Sequence, residues 1–181
     1  AVHQMSDKIK SYYGDGSKWG LDITYSEEDF PLGTGGAIKK AQEFLNETYL
    51  VLNGDDYCQF EVGKMLEFHK KNKGLATLCL TKSNEANHYG QVELAGNRII
   101  SFVEKNPHLA SQRGLINTGM YIFEPEIFNY IEAGKAVSLE KEVFPKLVDD
   151  KLIYGFLTEG YFIDIGRPET YKKFQEDALK V

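Results

Sequence analysis

Two short apolar runs, TYLVLN (residues 48–53) and LATLCLT (75–81), flank a stretch with helical spacing, EVGKMLEFHKKNKG (61–74). That alternation limits the possible folds more than any other feature. A short run that is apolar almost throughout needs cover on both faces, as the strands of a parallel sheet have. In the stretch between, Val62, Met65, Leu66 and His69 share one helical face, and Gly74 reads as the stop. Strand, helix and strand in this order pack as layers around a sheet.

The alternation continues on both sides. SDKIKSYY reads as a short helix opened by Ser6 and closed near Gly14 to Gly16, and GLDITYSEE as a strand with Leu21, Ile23 and Tyr25 on one face. After PLGTGGAIKKA (31–41), Ile38, Ala41 and Leu45 recur at helical spacing. YGQVEL and RIISFVEK are two strand runs joined at Ala95-Gly96-Asn97, a hairpin signal. LINTGMYIFE predicts a further strand that leads through Pro125 into a short helix. SLEKEVFPKLV predicts a helix interrupted at Pro145. LIYGFL and GYFIDI read as strands, and Pro168 opens a last helix. The expected class is α/β, with a mixed sheet and an antiparallel insertion, in one domain.

Of the 181 residues, 42% are hydrophobic and 27% charged, the balance of a globular domain large enough to bury a core. The net charge of −6 argues against non-specific nucleic-acid binding, and means that an anionic substrate needs local cations or a metal. Cys58 and Cys79 lack C-x-x-C spacing and are too few for a disulfide framework, which points to a reducing, cytoplasmic setting. No apolar run approaches the roughly 18 residues of a membrane span, so no membrane partner is expected. His3, His69, His88 and His108 are scattered, without metal-ligand spacing.

The glycines of PLGTGG pose a question. They serve a tight turn, or they let the backbone approach a flat or charged ligand at the start of a helix. Two carboxylates stand at strand ends, where ligands bind on open α/β sheets: Asp55 after YLVLNG, and Asp164 in GYFIDIG. Singly, each is an ordinary turn or cap residue. Together they suit one Mg²⁺, which takes one or two carboxylates and leaves its other positions to water and phosphate oxygens. Glu104-Lys105, ending IISFVEK, is either a solvated strand terminus or a hydroxyl acceptor beside a phosphate-binding cation. Asn117 sits inside an apolar strand, where its amide needs partners from a neighbouring backbone or from a sugar. Tyr89-Gly90 is a plain strand start or a place of close ligand approach.

In order and spacing, PLGTGGAI, LVLNGDD, YGQVEL followed by FVEKNP, LINTGMYIF and YFIDIGRPETY resemble the sugar-1-phosphate nucleotidyltransferases. Within that family the nearest resemblance is to the guanylyltransferase-like branch, the mannose-1-phosphate and heptose-1-phosphate enzymes. It runs nearly end to end. The resemblance implies a Rossmann-like, GT-A-like fold: a mixed, mostly parallel sheet with helices on both faces and a small antiparallel extension. The implied reaction is sugar 1-phosphate plus nucleoside triphosphate, GTP favoured, giving nucleotide-sugar and pyrophosphate. Asp55 and Asp164 match the family's Mg²⁺ ligands. Gly33, Thr34, Gly35 and Gly36, with Asn53 and Gly54, match its nucleotide-binding positions, and Glu27 or Glu28 is a nearby polar candidate. Tyr89, Gly90, Glu104 and Asn117 match its sugar contacts, and Lys105 its sugar-phosphate contact.

Members of that family open with a strand and a G-x-G-T-R-L loop followed by a P-K pair, which hold the triphosphate. This chain opens at AVHQMSDKI, which resembles the tail of the family's second strand. The expectation is therefore a catalytic domain over 1–181 that lacks its N-terminal part. Such a chain is expected to be inactive alone, and poorly soluble or oligomeric through apolar edges of TYLVLN and LATLCLT. A homo-oligomer is open for the whole protein. Two other readings stand beside this one. A non-catalytic sugar-nucleotide-binding or regulatory subunit has no evident use for the Asp55–Asp164 pair. A metal-dependent glycosyltransferase usually carries D-x-D, a spacing that Asp55-Asp56 lacks.

Overall fold

The computed structural model describes residues 1–105 and 113–179. His108, and Asn106 and Pro107 of the FVEKNP block, lie outside the described residues. In chain order the elements are α1 (Ser6–Tyr13), α2 (Gly33–Lys40), β1 (Tyr49–Leu52), β2 (Asp56–Cys58), α3 (Val62–Asn72) and β3 (Ala76–Ser83). There follow β4 (Gln91–Ala95), β5 (Arg98–Val103), β6 (Gly114–Phe123), α4 (Phe144–Asp149), β7 (Ile153–Leu157), β8 (Phe162–Asp164) and α5 (Pro168–Ala178).

Strands β3 and β6 pair at the centre, and their side chains alternate between two cores as the two-residue strand period requires. Leu78, Leu80, Tyr121 and Phe123 point into the larger core with Phe144 and Leu147 of α4. Cys79, Met120 and Ile122 point into the smaller one with Met65 of α3. Helices thus cover both faces. Burying a large apolar side chain contributes about 1.5–3 kcal/mol. In the larger core the Tyr121 ring stacks 5.3 Å from Phe123 and meets Phe144 edge-on at 5.4 Å.

The main sheet has six strands in the order β1-β6-β3-β7-β5-β4, and β4 pairs back onto β6. It is mixed: β3 and β7 run parallel, while the β4–β5 hairpin and the neighbours of β6 are antiparallel. Leu78 lies opposite Tyr121 and Leu80 opposite Asn117, so β6 carries extra residues at this point and bulges. Gly119, inside the bulge, has φ +76°. A separate two-stranded ladder joins β2 to β8.

Several local expectations are corrected. GLDITYSEE forms no strand; Val2 is its β-bridge partner among the described residues, at Glu27, and Leu21 is 60% exposed. Apolar alternation there has no sheet face to cover. TYLVLN becomes β1, an edge strand antiparallel to β6, with Leu50 and Leu52 exposed. LATLCLT, by contrast, is buried almost throughout, so the exposed apolar positions anticipated for both runs occur on β1 alone. The glycine stretch is the first turn of α2 rather than a loop before it, and α2 ends at Lys40, short of Leu45. The left-handed residue that closes α3 is Lys73, φ +55°; Gly74 is instead packed against the Tyr154 ring. Pro145 does not interrupt a helix. It sits in the first turn of α4, where its missing N–H costs no bond, after a π-helical turn at Leu139–Val143.

Candidate active site

The β2–β8 ladder brings together carboxylates far apart in the chain. Asp56 pairs with Asp164, Tyr57 with Ile163 and Cys58 with Phe162. Packing fastens it, since the Tyr57 ring lies 4.9 Å from that of Phe174 on α5. Asp55 precedes the ladder, and its carbonyl accepts from the Ile165 N–H at 2.7 Å. Gly166 N–H donates to Asp164 Oδ1 at 2.7 Å. A Cβ on Gly166 would stand 3.0 Å from Asp164 Oδ1 and 3.2 Å from Asp55 Oδ2. Both carboxylates thus border one point. Among the described residues no three His, Cys, Asp or Glu side chains form a metal cage. A pair of carboxylates with open positions is the donor set Mg²⁺ accepts, because it keeps several waters.

The β6 bulge builds the adjoining wall. Asn53 N–H donates to Gly119 O at 2.9 Å, and Asn53 Nδ2 donates to Asp56 Oδ2 at 3.1 Å. A side chain on Gly119 would collide with both Asp56 and Asn53, so the positive φ and the crowding both demand glycine. Asn117 has found partners within the protein: Nδ2 donates to the Tyr121 hydroxyl at 2.8 Å, and Oδ1 accepts from Gly119 N–H at 3.2 Å. Its own N–H donates to Gly90 O at 2.9 Å, tying the start of β4 to the bulge.

These walls enclose a cleft of about 650 Å³. Of the expected residues, Gly33, Thr34, Asn53, Gly54, Asp55, Tyr89, Gly90, Glu104, Lys105, Asn117 and Asp164 line it. Four expected residues do not reach it. Glu27 is ion-paired with Lys10. Glu28 accepts from Leu32 N–H at 2.8 Å, at the entry to α2. Gly35 and Gly36 are buried, and their N–H groups donate to Val137 O at 2.9 and 3.2 Å. A Cβ on Gly36 would lie 2.7 Å from Lys135 O. The question posed by PLGTGG therefore has a divided answer. Gly33 and Thr34 line the cleft, but Gly33 as well as Gly35 and Gly36 lets α2 lie directly on the backbone of residues 135–137.

The cleft also holds residues that sequence reasoning missed: Asp56, His88, Gly119, Ser138, Glu140 and Lys141. Asp56 was visible as the second carboxylate of LVLNGDD. Ser138, Glu140 and Lys141 gave little signal, because SLEKEVFPKLV reads as a helix interrupted at Pro145.

Charge is concentrated on the cleft walls. Burial pushes the Asp56 carboxyl up to about 6; the Asn53 hydrogen bond opposes this, Asp55 and Asp164 add to it, and Lys105 opposes it. Glu104 is raised by burial and then by Glu140, with Lys105 and Lys141 pulling the other way. Burial, then Asp164, raises the Tyr89 hydroxyl, whose ring packs 5.5 Å from Phe162. Two acidic groups on the walls, each with a lysine nearby, suit a ligand with both hydroxyls and phosphates.

The fold is that of a mixed α/β domain, and the chain belongs to the nucleotidyl transferase family, whose family model matches residues 1–181. It is 39% identical over 173 residues to mannose-1-phosphate guanyltransferase 2 of Candida glabrata, covering 92% of this chain and 46% of that protein. To mannose-1-phosphate guanylyltransferase of Mycobacterium tuberculosis it is 36% identical over 176 residues, covering 95% and 48%. The chain thus spans about half the length of the curated relatives it matches. The fold is similar to that of HddC from Yersinia pseudotuberculosis, solved also in complex with GMP-PN, with a TM-score of 0.82 and 29% identity. That match covers 97% of this chain and 75% of HddC. No helix among the described residues is long and apolar enough to cross a membrane.

Proposed function

We propose that the cleft carries transfer of a nucleotidyl group from a nucleoside triphosphate, GTP favoured, to a sugar 1-phosphate of the mannose or heptose type. Residues 1–181 then form part of the catalytic domain, in a cytoplasmic protein. The observation that carries this reading is the meeting of Asp55 and Asp164 in the same cleft as Gly33, Gly90, Glu104, Lys105 and Asn117. The similarity to guanylyltransferases supports GTP. In-line attack of a sugar phosphate on the α-phosphorus asks the protein mainly to position groups and neutralise charge.

Each residue has a task in that scheme. Gly33 and Thr34 leave a side of the cleft open to the base. Glu104 accepts hydrogen bonds from sugar hydroxyls, and the Asn117 amide, held by Tyr121 and Gly119, presents its remaining N–H to them. Lys105 neutralises the sugar phosphate. Asp55 and Asp164 would hold Mg²⁺, which supplies charge stabilisation for the phosphates. The test supplies the full-length protein with each of four triphosphates and a panel of sugar 1-phosphates, and measures pyrophosphate release. GTP with a mannose- or heptose-type 1-phosphate should give turnover. Binding of a sugar nucleotide without turnover of any pair would overturn the proposal in favour of a non-catalytic subunit.

A further inference from the structure

Outside the residues assigned above, one side chain in the cleft is held in a manner that packing alone does not require. Glu140 lies on the π-helical turn Leu139–Val143, and both it and Lys141 line the cleft. Such turns are rare and are frequent at functional sites. Its Oε2 accepts from two hydroxyls, Thr34 Oγ1 at 2.8 Å and Ser138 Oγ at 2.8 Å. Thr34 Oγ1 in turn accepts from Leu139 N–H at 2.9 Å, so the hydroxyl that orients the carboxylate is itself oriented.

We propose that Glu140 determines sugar specificity, its Oε1 accepting a hydrogen bond from a hydroxyl of the sugar 1-phosphate opposite Glu104. This rests on the nucleotidyl-transfer reading of the cleft. Fixing Oε2 twice removes the rotamer freedom that an exposed glutamate would otherwise lose on binding. Glu104 feels the Glu140 charge, so two carboxylates face the same space, with Lys105 and Lys141 beside them. A phosphate placed between two carboxylates would be repelled, whereas a polyol brings the O–H donors that both require. Thr34 adjoins Gly33 on α2, so the same clamp ties the sugar side of the cleft to its nucleotide side.

The bland alternative is a latch that only holds α2 to residues 138–140. A substrate-by-mutant cycle separates the two, because a latch does not sense one hydroxyl. The experiment uses the full-length protein, the sugar 1-phosphate it turns over best, and the monodeoxy analogues of that sugar, with wild type, Glu140→Gln and Glu140→Ala. Glu140→Ala should lower kcat/KM for the intact sugar roughly 10- to 150-fold, the loss expected for a charge-assisted hydrogen bond. For one deoxy analogue that loss should shrink to about threefold or less, because the hydroxyl is already gone. Glu140→Gln keeps an acceptor for Thr34 and Ser138 and serves if the alanine variant does not fold. Equal losses for the intact sugar and every analogue, or an equal rise in KM for the triphosphate, overturn the assignment. If the wild type turns over no pair, the parent reading fails and takes this one with it. If it turns over normally and the cycle shows no coupling, only the role of Glu140 fails.

Discussion

Replacing Gly36 by alanine should destabilise the protein, although the substitution lies in a helix and removes no side chain. Three effects compete. Helix propensity favours alanine over glycine by about 1 kcal/mol. Against this, the new Cβ would stand 2.7 Å from Lys135 O and 2.9 Å from Leu32 Cβ, well inside normal contact. Overpacking of this kind typically costs about 1–3 kcal/mol. If residues 135–137 retreat, the bonds from Gly35 and Gly36 to Val137 O lengthen, and each contributes about 0.5–1.5 kcal/mol. The net expectation is a loss of about 1–3 kcal/mol, or about 2–4 °C of melting temperature per kcal/mol in a domain of this size. Gly63, at the start of α3, meets nothing within 4 Å, so Gly63→Ala is the matched control and should be neutral or stabilising by up to ~1 kcal/mol. Urea and thermal unfolding of both variants, with KM for the triphosphate, provide the assay. Because Gly36 does not line the cleft, its variant should keep KM within about threefold, under 1 kcal/mol. A Gly36→Ala protein as stable as wild type, with nucleotide binding lost, would refute the packing role and return all the glycines to the ligand.

Two further predictions concern the cleft walls. Burial raises the Asp56 carboxyl to about 6, so between the unfolded value and that one the folded chain binds more protons. Its contribution to stability is thus fully present below about pH 4 and is lost as pH rises through about 6. Urea midpoints of ligand-free wild type should fall more steeply over that window than those of Asp56→Asn, and parallel curves would contradict the burial argument. Glu104→Ala should raise KM for the sugar 1-phosphate roughly 10- to 150-fold while leaving that for the triphosphate nearly unchanged; steady-state kinetics with each substrate varied decide it, and equal effects would remove Glu104 from the sugar contacts.

The central strands were legible because nothing competes with their pattern. LATLCLT and LINTGMYIF are apolar enough to need cover on both faces, and they receive it from α3 and α4. GLDITYSEE failed for the complementary reason: alternation signals a strand only where backbone partners exist, and Val2 offers a single bridge. TYLVLN shows that an apolar run fixes neither strand direction nor position, since an edge strand is tolerated with Leu52 more than half exposed.

The site was legible as an ordered set of blocks rather than residue by residue. Nothing near Asp55 or Asp164 shows that they meet; a three-residue ladder between distant segments joins them. Gly33 and Gly36 look alike in sequence and both abut a backbone carbonyl, of Val137 and Lys135 respectively, yet of the two only Gly33 also lines the cleft. Glu140 was hidden by the spacing of Leu139 and Val143, which suits an α-helix as well as the π turn that forms.

That Asp55 and Asp164 share one divalent cation is tested most directly by anomalous scattering from Mn²⁺, in crystals of the full-length protein with bound nucleotide-sugar. One peak should lie within direct or one-water reach of both carboxylates, with Mg²⁺-like metal–oxygen bonds of about 2.1 Å, and should disappear in Asp164→Asn. The sugar should lie against Gly90 and Glu104, and the base beside Gly33. A metal peak away from the Asp55–Asp164 pair, with the nucleotide-sugar bound outside this cleft, would contradict the assignment.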